Sequence, residues 1–256
     1  MNRVFVSLGP ITIYWYSVTM LLAILLGIFL ANNEAKRVKE KEYIDNLTFY
    51  LILFGIIGAR LYYVIFEFNN YKYDLLSIFK VWEGGLAIYG AIIAGLLVII
   101  YYAKKKGKSI IKTTDIIVPS LILGQAIGRW GNFFNSEAHG SEVTYEFLKN
   151  LHIPNFIING MHINGTYYHP TFLYESLWCV IGFIIILIIR KLTNRKEGIV
   201  TYTYFIWYGI GRFFIESLRT DSLYLGSIKI SQLVSIILII IGIIGIIINI
   251  KKEVKK

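Results

Sequence analysis

Residues 230–250 read ISQLVSIILIIIGIIGIIINI. A soluble amphipathic helix shows one apolar stripe; this stretch is apolar all round, and at 1.5 Å per residue it covers the ~30 Å of a bilayer's hydrocarbon. It predicts a transmembrane helix, and the rest of the chain agrees. Of 256 residues, 56% are hydrophobic and only 16% charged, with a mean hydropathy of +0.60, which argues against a soluble globular domain. Further stretches at roughly 11–31, 45–66, 85–103, 114–134, 170–190 and 199–218 have the ~20-residue length of a span. The expected fold is an all-α integral membrane protein of seven transmembrane helices, forming a single domain over residues 1–256. Residues 135–169 are too polar to span and are expected to form a small external cap inserted between the fourth and fifth helices. The opening MNRVFVSLGP has one basic residue and no small-residue cleavage site, so the first apolar stretch is expected to be a retained helix.

Lysine and arginine set the orientation. They cluster after the first span (Lys36, Arg37, Lys39, Lys41), the third (Lys104, Lys105, Lys106, Lys108, Lys112), the fifth (Arg190, Lys191, Arg195, Lys196) and the last (Lys251, Lys252, Lys255, Lys256). The alternate loops carry only Lys72, Lys80, Lys149 and Lys229. By the positive-inside rule the N-terminus lies outside and the C-terminus in the cytoplasm. The net charge of +10 then reflects loop asymmetry, and no nucleic-acid motif accompanies it.

The ionisable residues within the spans fall at one depth. Counting along the helices puts Arg60 and Arg129 roughly 22 Å, and Arg212 roughly 20 Å, from the cytoplasmic side. Tyr14, Tyr16, Tyr89, His169, Tyr174 and Glu175 fall near the outer starts of the odd-numbered spans. A belt of interfacial tyrosines and snorkelling arginines explains the tyrosines. It explains the arginines less well, because an intramembrane arginine costs about 2.5–3.5 kcal/mol and usually faces the bundle interior. A polar cavity in the outer third of the membrane accounts for both.

Two stretches sharpen that cavity. In YGIGRFFIESLRTD (208–221), Tyr208, Arg212, Glu216 and Arg219 share one helix stripe. Arg212–Glu216 and Glu216–Arg219 can pair, leaving a positive excess suited to phosphate, whose oxygens match arginine's planar fork. In GRWGNFFNSEAHG (128–140), Gly128 and Gly131 thin the helix beside Arg129. Asn132 and Asn135 can share its face and bind the hydroxyls and phosphate of a lipid head, with Glu137 and His139 just beyond. The sequence lacks HExxH, GxSxG, a P-loop and any Cys/His cluster of metal spacing, and its single cysteine, Cys179, sits in an apolar run as packing. These observations point to an arginine-rich cavity open to the outer leaflet, holding an anionic lipid. A transporter or channel for an anionic solute and a non-catalytic lipid-binding scaffold are the alternatives.

At these residues the sequence resembles the bacterial prolipoprotein diacylglyceryl transferases. The family's signature runs through GRWGNFFNSEAHG, and YWY (14–16), GAR (58–60), EGGLAIYG (83–90), HPTFLYE (169–175), YGIGRFFIESLRTD (208–221) and SQ (231–232) follow in the expected order. The resemblance implies transfer of the diacylglyceryl group of phosphatidylglycerol to the lipobox cysteine thiol of a prolipoprotein signal peptide, with formation of a thioether and release of glycerol phosphate. It implies a multi-pass protein of the bacterial inner (cytoplasmic) membrane. The expected partners are phosphatidylglycerol, lipobox-bearing prolipoproteins and the lipid bilayer, with no cofactor, metal or nucleic acid, and the chain is expected to be a monomer. The nucleophilic thiol belongs to the substrate, which fits Cys179 as a bystander. Carried over by motif, Arg129 and Arg212 bind phosphate and stabilise the leaving group. Tyr16, Asn132, Glu137, Gly140, Tyr208, Glu216 and Arg219 complete the functional set, with Asn135 and Arg60 at the lipid head. Tyr89 stands where many members have a histidine considered a general base, and a phenol of reference pKa ~10 is a poor base near neutrality. The thiol proton is then expected to leave through acidification by the arginines, with Tyr89 positioning; His139, His169 and Glu137 are the alternative acceptors.

Overall fold

The computed structural model describes residues 3–9, 11–193 and 196–254. The basic residues Arg195, Lys255 and Lys256 lie outside them. The chain opens with an antiparallel hairpin, β1 (Val4–Leu8) and β2 (Ile11–Tyr14). Helices α1 (Trp15–Arg37), α2 (Lys41–Phe66), α3 (Ile88–Lys105) and α4 (Ile110–Asn135) follow. Next come β3 (Glu142–Val143), α5 (Tyr145–Asn150), α6 (Asn155–Gly160), β4 (His162–Ile163) and β5 (Thr166–Tyr168). The chain continues through α7 (Thr171–Leu192), α8 (Ile199–Leu218), the hairpin β6 (Tyr224–Leu225) and β7 (Ile228–Lys229), and α9 (Ile230–Val254).

Six of these helices, α1, α2, α3, α4, α7 and α9, are long and apolar enough to cross a membrane among the described residues. On α9, Ile237, Ile240, Ile244 and Ile248 are about half exposed, a surface suited to lipid and costly in water. Helix α8 has 20 residues but carries Arg212 and Glu216 among tyrosines and threonines, and it is not one of the six. The first span begins later than the hydropathy suggests. Residues 11–14 are a strand, because Val4, Val6, Ile11 and Ile13 are β-branched and the turn at Gly9 has φ +61°.

The chain forms two compact units, residues 1–30 with 117–256, and residues 31–116. In the smaller unit α2 and α3 meet backbone to backbone: a Cβ on Gly90 would lie 2.2 Å from the Gly58 carbonyl oxygen. Residues 67–87, between these helices, form three short 3-10 turns. Arg60 organises them. Its Nε donates to Ile78 O, Nη1 to Gly84 O and Gly85 O, and Nη2 to Ser77 O and, at 3.4 Å, to Lys80 O. The guanidinium is buried and also lies 5.1 Å from the centre of the Tyr71 ring. Backbone that lacks regular pairing needs such a partner. Arg60, expected among the phosphatidylglycerol-binding residues, directs its donors to this loop. Tyr89 stands in the first turn of α3 with its ring 6.2 Å from that of Tyr62.

In the larger unit α7 and α8 lock together through two tryptophans. Trp178 and Trp207 stack at 4.3 Å and 16°, and each indole N–H donates to the other's backbone carbonyl, at 2.8 and 2.9 Å. Each ring lies on a glycine of the facing helix: a Cβ on Gly211 would come within 2.2 Å of Trp178, and one on Gly182 within 2.3 Å of Trp207. Val118, Ile122, Ala126, Cys179, Ile186, Val200 and Tyr204 form the adjoining core. Between α4 and α7, the strands β3, β5 and β4 make a small antiparallel sheet in that spatial order. It closes over a separate core of Phe133, Leu148, Ile153, Ile157, Ile158, Met161 and Phe172.

Candidate active site

The site is assembled from the ends of α4, α7 and α8. Glu175, in the first turns of α7, is buried between two arginines. Arg212 Nη1 donates to its Oε2 at 2.9 Å. Arg129 Nη2 lies 2.6 Å from its Oε1, an ion-pair distance at which no N–H is aligned on that oxygen. Arg212 Nη2 reaches Glu216 Oε2 at 2.6 Å, again off the N–H axis, and Ser231 Oγ at 3.4 Å. Arg129 continues the chain outward. Its Nη1 donates to Asn132 Oδ1 at 3.4 Å, and Asn132 Nδ2 donates to Glu137 Oε1 at 2.9 Å. Glu137 is held there by a tight exit from α4 through Ser136 (φ 55°) and Ala138 (φ 57°), left-handed conformations that cost a non-glycine residue about 1–2 kcal/mol.

These contacts correct two expectations. Arg219 pairs with Asp221, not Glu216, donating from Nε at 2.9 Å and Nη2 at 2.7 Å in a bidentate fork. Burial alone would raise the Asp221 carboxyl, but the hydrogen bonds and charge of Arg219 hold it below the usual carboxylate range. The positive excess anticipated for Arg212 and Arg219 against Glu216 is offset by two further carboxylates, Glu175 at Arg212 and Asp221 at Arg219. Glu175 is the residue the sequence reading undervalues, since it appears there only as one polar group of a layer. The signal was a carboxylate inside an apolar helix, which needs a buried cationic partner.

The glycines of the signature have separate reasons. Gly131 admits Tyr16, since a Cβ there would lie 2.6 Å from the ring, whereas one on Gly128 would make ordinary contact, 3.8 Å from Met20. Gly140 joins the segment after α4 to the end of α8. It pairs with Arg219 as an antiparallel bridge and donates to His169 O at 3.0 Å. A Cβ on Gly140 would sit 2.6 Å from His169 Cβ.

The remaining residues lie around this core. Asn135 and Glu137 line a polar cleft of about 400 Å³ with Arg3, Tyr14, Tyr16 and Ser136. An aromatic ladder ties the N-terminal hairpin to α4, Phe5 edge-on to Trp15 and Trp15 stacked on Phe134 at 4.9 Å. Tyr208 stacks on Tyr204, whose hydroxyl accepts from Gln125. His139 packs at 4.1 Å on Tyr168 with Nδ1 3.1 Å from Gly140 O. His169 Nδ1 lies 3.2 Å from the Tyr174 hydroxyl. Cys179 is fully buried. No group of three or more His, Cys, Asp or Glu residues that could hold a metal occurs among the described residues.

Six helices of membrane-crossing length, with an arginine–carboxylate network near the ends of α4, α7 and α8, define a multi-pass membrane protein with a charged site. Among such proteins the chain belongs to the prolipoprotein diacylglyceryl transferase family, whose model it matches over residues 3–248. It is 50% identical over 250 residues to the phosphatidylglycerol–prolipoprotein diacylglyceryl transferase of Bacillus cereus strain G9842, covering 97% of this chain and 92% of that one. The Bacillus mycoides strain KBAB4 enzyme of the same name is 49% identical over the same shares.

Proposed function

We propose that this protein transfers the diacylglyceryl group of phosphatidylglycerol to the lipobox cysteine of prolipoproteins. In this reading it is a monomeric, multi-pass protein of the bacterial inner membrane. Helix α8 is the seventh span, the N-terminus is outside, the C-terminus is in the cytoplasm, and residues 135–169 form an external cap. A thioether product requires a new S–C bond and cleavage of the C–O bond between the diacylglyceryl carbon and the phosphate. The electron pair leaves with glycerol phosphate, so negative charge grows on phosphate oxygen during the step. The observation that carries the reading is Glu175 held between Arg129 and Arg212. Two guanidiniums from different helices meet there on one anionic group, each through one nitrogen, and preorganised donors aimed at developing charge are often the largest catalytic contribution. Asn132, Glu137 and Asn135 supply partners for glycerol hydroxyls. The same arginines favour the thiolate over the thiol, whose free pKa is ~8.5, and the proton ends on the leaving monoester or in solvent.

The test is purified enzyme with phosphatidylglycerol vesicles and a lipobox peptide. The expected outcome is a peptide gaining the diacylglyceryl mass through a thioether. Arg129→Ala should lower kcat/KM by at least ~100-fold, the scale of losing a transition-state donor, with the protein still folded and inserted. Full activity in that variant removes the phosphate role. Uptake of a labelled anion without lipid turnover would favour a transporter instead.

A further inference from the structure

A helix end leaves its last carbonyls without partners, and a glycine just past the end commonly resolves this. Helix α8 has no such glycine: Arg219 follows Leu218 in an extended conformation (φ −78°, ψ 143°). Glu216 O accepts from the Arg219 amide at 3.2 Å, and the other donors come from elsewhere. Leu218 O accepts from the Ser141 amide at 3.1 Å. Glu216 O and Arg219 O both accept from a single ammonium, Lys229 Nζ, at 2.7 and 2.9 Å. Lys229 ends β7, directly before α9, and belongs to neither signature stretch.

We propose that Lys229 is a positioning residue of the transfer reaction, setting Arg219 directly and Arg212 through Glu216. The inference rests on the proposed transferase activity. One ammonium clamps both ends of the segment 216–219. Glu216 meets Arg212 from one end, and Arg219 grips Asp221 from the other, through Nε and Nη2. The backbone of Arg219 is thereby fixed from two sides, by the bridge at Gly140 and by the β6–β7 hairpin at Lys229. A cation at a helix C-terminus also suits the helix dipole. Methionine at 229 keeps the length of the side chain but removes both hydrogen bonds, leaving the segment held only by the Gly140 bridge, the Ser141 amide on Leu218 O and the Arg219 amide on Glu216 O, so that its motion increases.

The test uses the full-length enzyme with phosphatidylglycerol vesicles and a lipobox peptide, comparing Lys229→Met, Lys229→Arg, Arg219→Lys and the double variant Lys229→Met/Arg219→Lys. Lys229→Met should lower kcat about tenfold, as expected for lost charge-assisted hydrogen bonds, with KM for phosphatidylglycerol within about threefold. Lys229→Arg should recover at least half of the loss. In the Arg219→Lys background, Lys229→Met should add less than about twofold, because coupled residues are not additive. Amide hydrogen exchange over residues 216–221 should rise in Lys229→Met and stay near wild type in Lys229→Arg. A kcat within about twofold of wild type per folded molecule, a change in KM alone, full multiplication of the two losses, or unchanged exchange overturns the proposal. If the wild type makes no thioether product, the transferase reading fails, and the exchange measurement still judges the clamp.

Discussion

At the scale of single residues, the site is made by contacts that admit little change. Gly131→Ala should push the Tyr16 ring aside and cut activity, while Gly128→Ala should be nearly silent, because only the first added methyl meets a side chain at close range. Measuring turnover of both variants at equal folded amounts separates a packing requirement at one position from general helix thinning. Glu175→Gln removes the charge that bridges two arginines. Breaking a buried ion pair by deleting one partner typically costs about 3–5 kcal/mol. Thermal unfolding in detergent should show a clear loss, and excess phosphatidylglycerol should restore part of it by supplying an anion in place of the carboxylate.

At the scale of elements, Arg60→Met should release the loop 67–87 from its central donor and raise proteolysis there. A variant whose loop resists protease as well as wild type would return Arg60 to the lipid-binding set. Just before α7, burial lowers the pKa of His169 below its ordinary value. Its neutral form is favoured by folding, so the contribution is complete above about pH 6.5 and is lost as pH falls through the lowered folded value. Melting curves of wild type and His169→Gln should therefore diverge from their neutral-pH difference only on the acid side. These cases mark what the sequence carried. Helix positions were legible because an apolar run of span length satisfies its backbone in lipid only as a helix, and the signature stretches located Arg129, Asn132, Glu137 and Arg212. Side-chain partners were legible only in part: the Arg212–Glu216 pair expected from helical spacing is present at 2.6 Å, and Asn132 does meet Arg129. Helical spacing allowed Arg219 to meet Glu216, yet α8 ends at Leu218 and the extended backbone beyond turns Arg219 to Asp221. Likewise, nothing in GAR indicated that the loop about twenty residues on would need a donor for its carbonyls.

At the scale of the molecule, the reciprocal tryptophans of α7 and α8 have a consequence for the alignment of the site. Trp178 is three residues after Glu175, and Gly211, on which it lies, immediately precedes Arg212. Sliding one helix past the other by a turn moves it ~5.4 Å, which would part Glu175 from Arg212 and drive both rings off their glycines. The pair therefore acts as a vernier. It has one matching setting, read by shape, and that setting also aligns the carboxylate with the guanidinium. The fit of rings to notches and the spacing of Glu175 from Arg212 are therefore one and the same alignment of α7 with α8, so that a change that shifts the rings also shifts the charges.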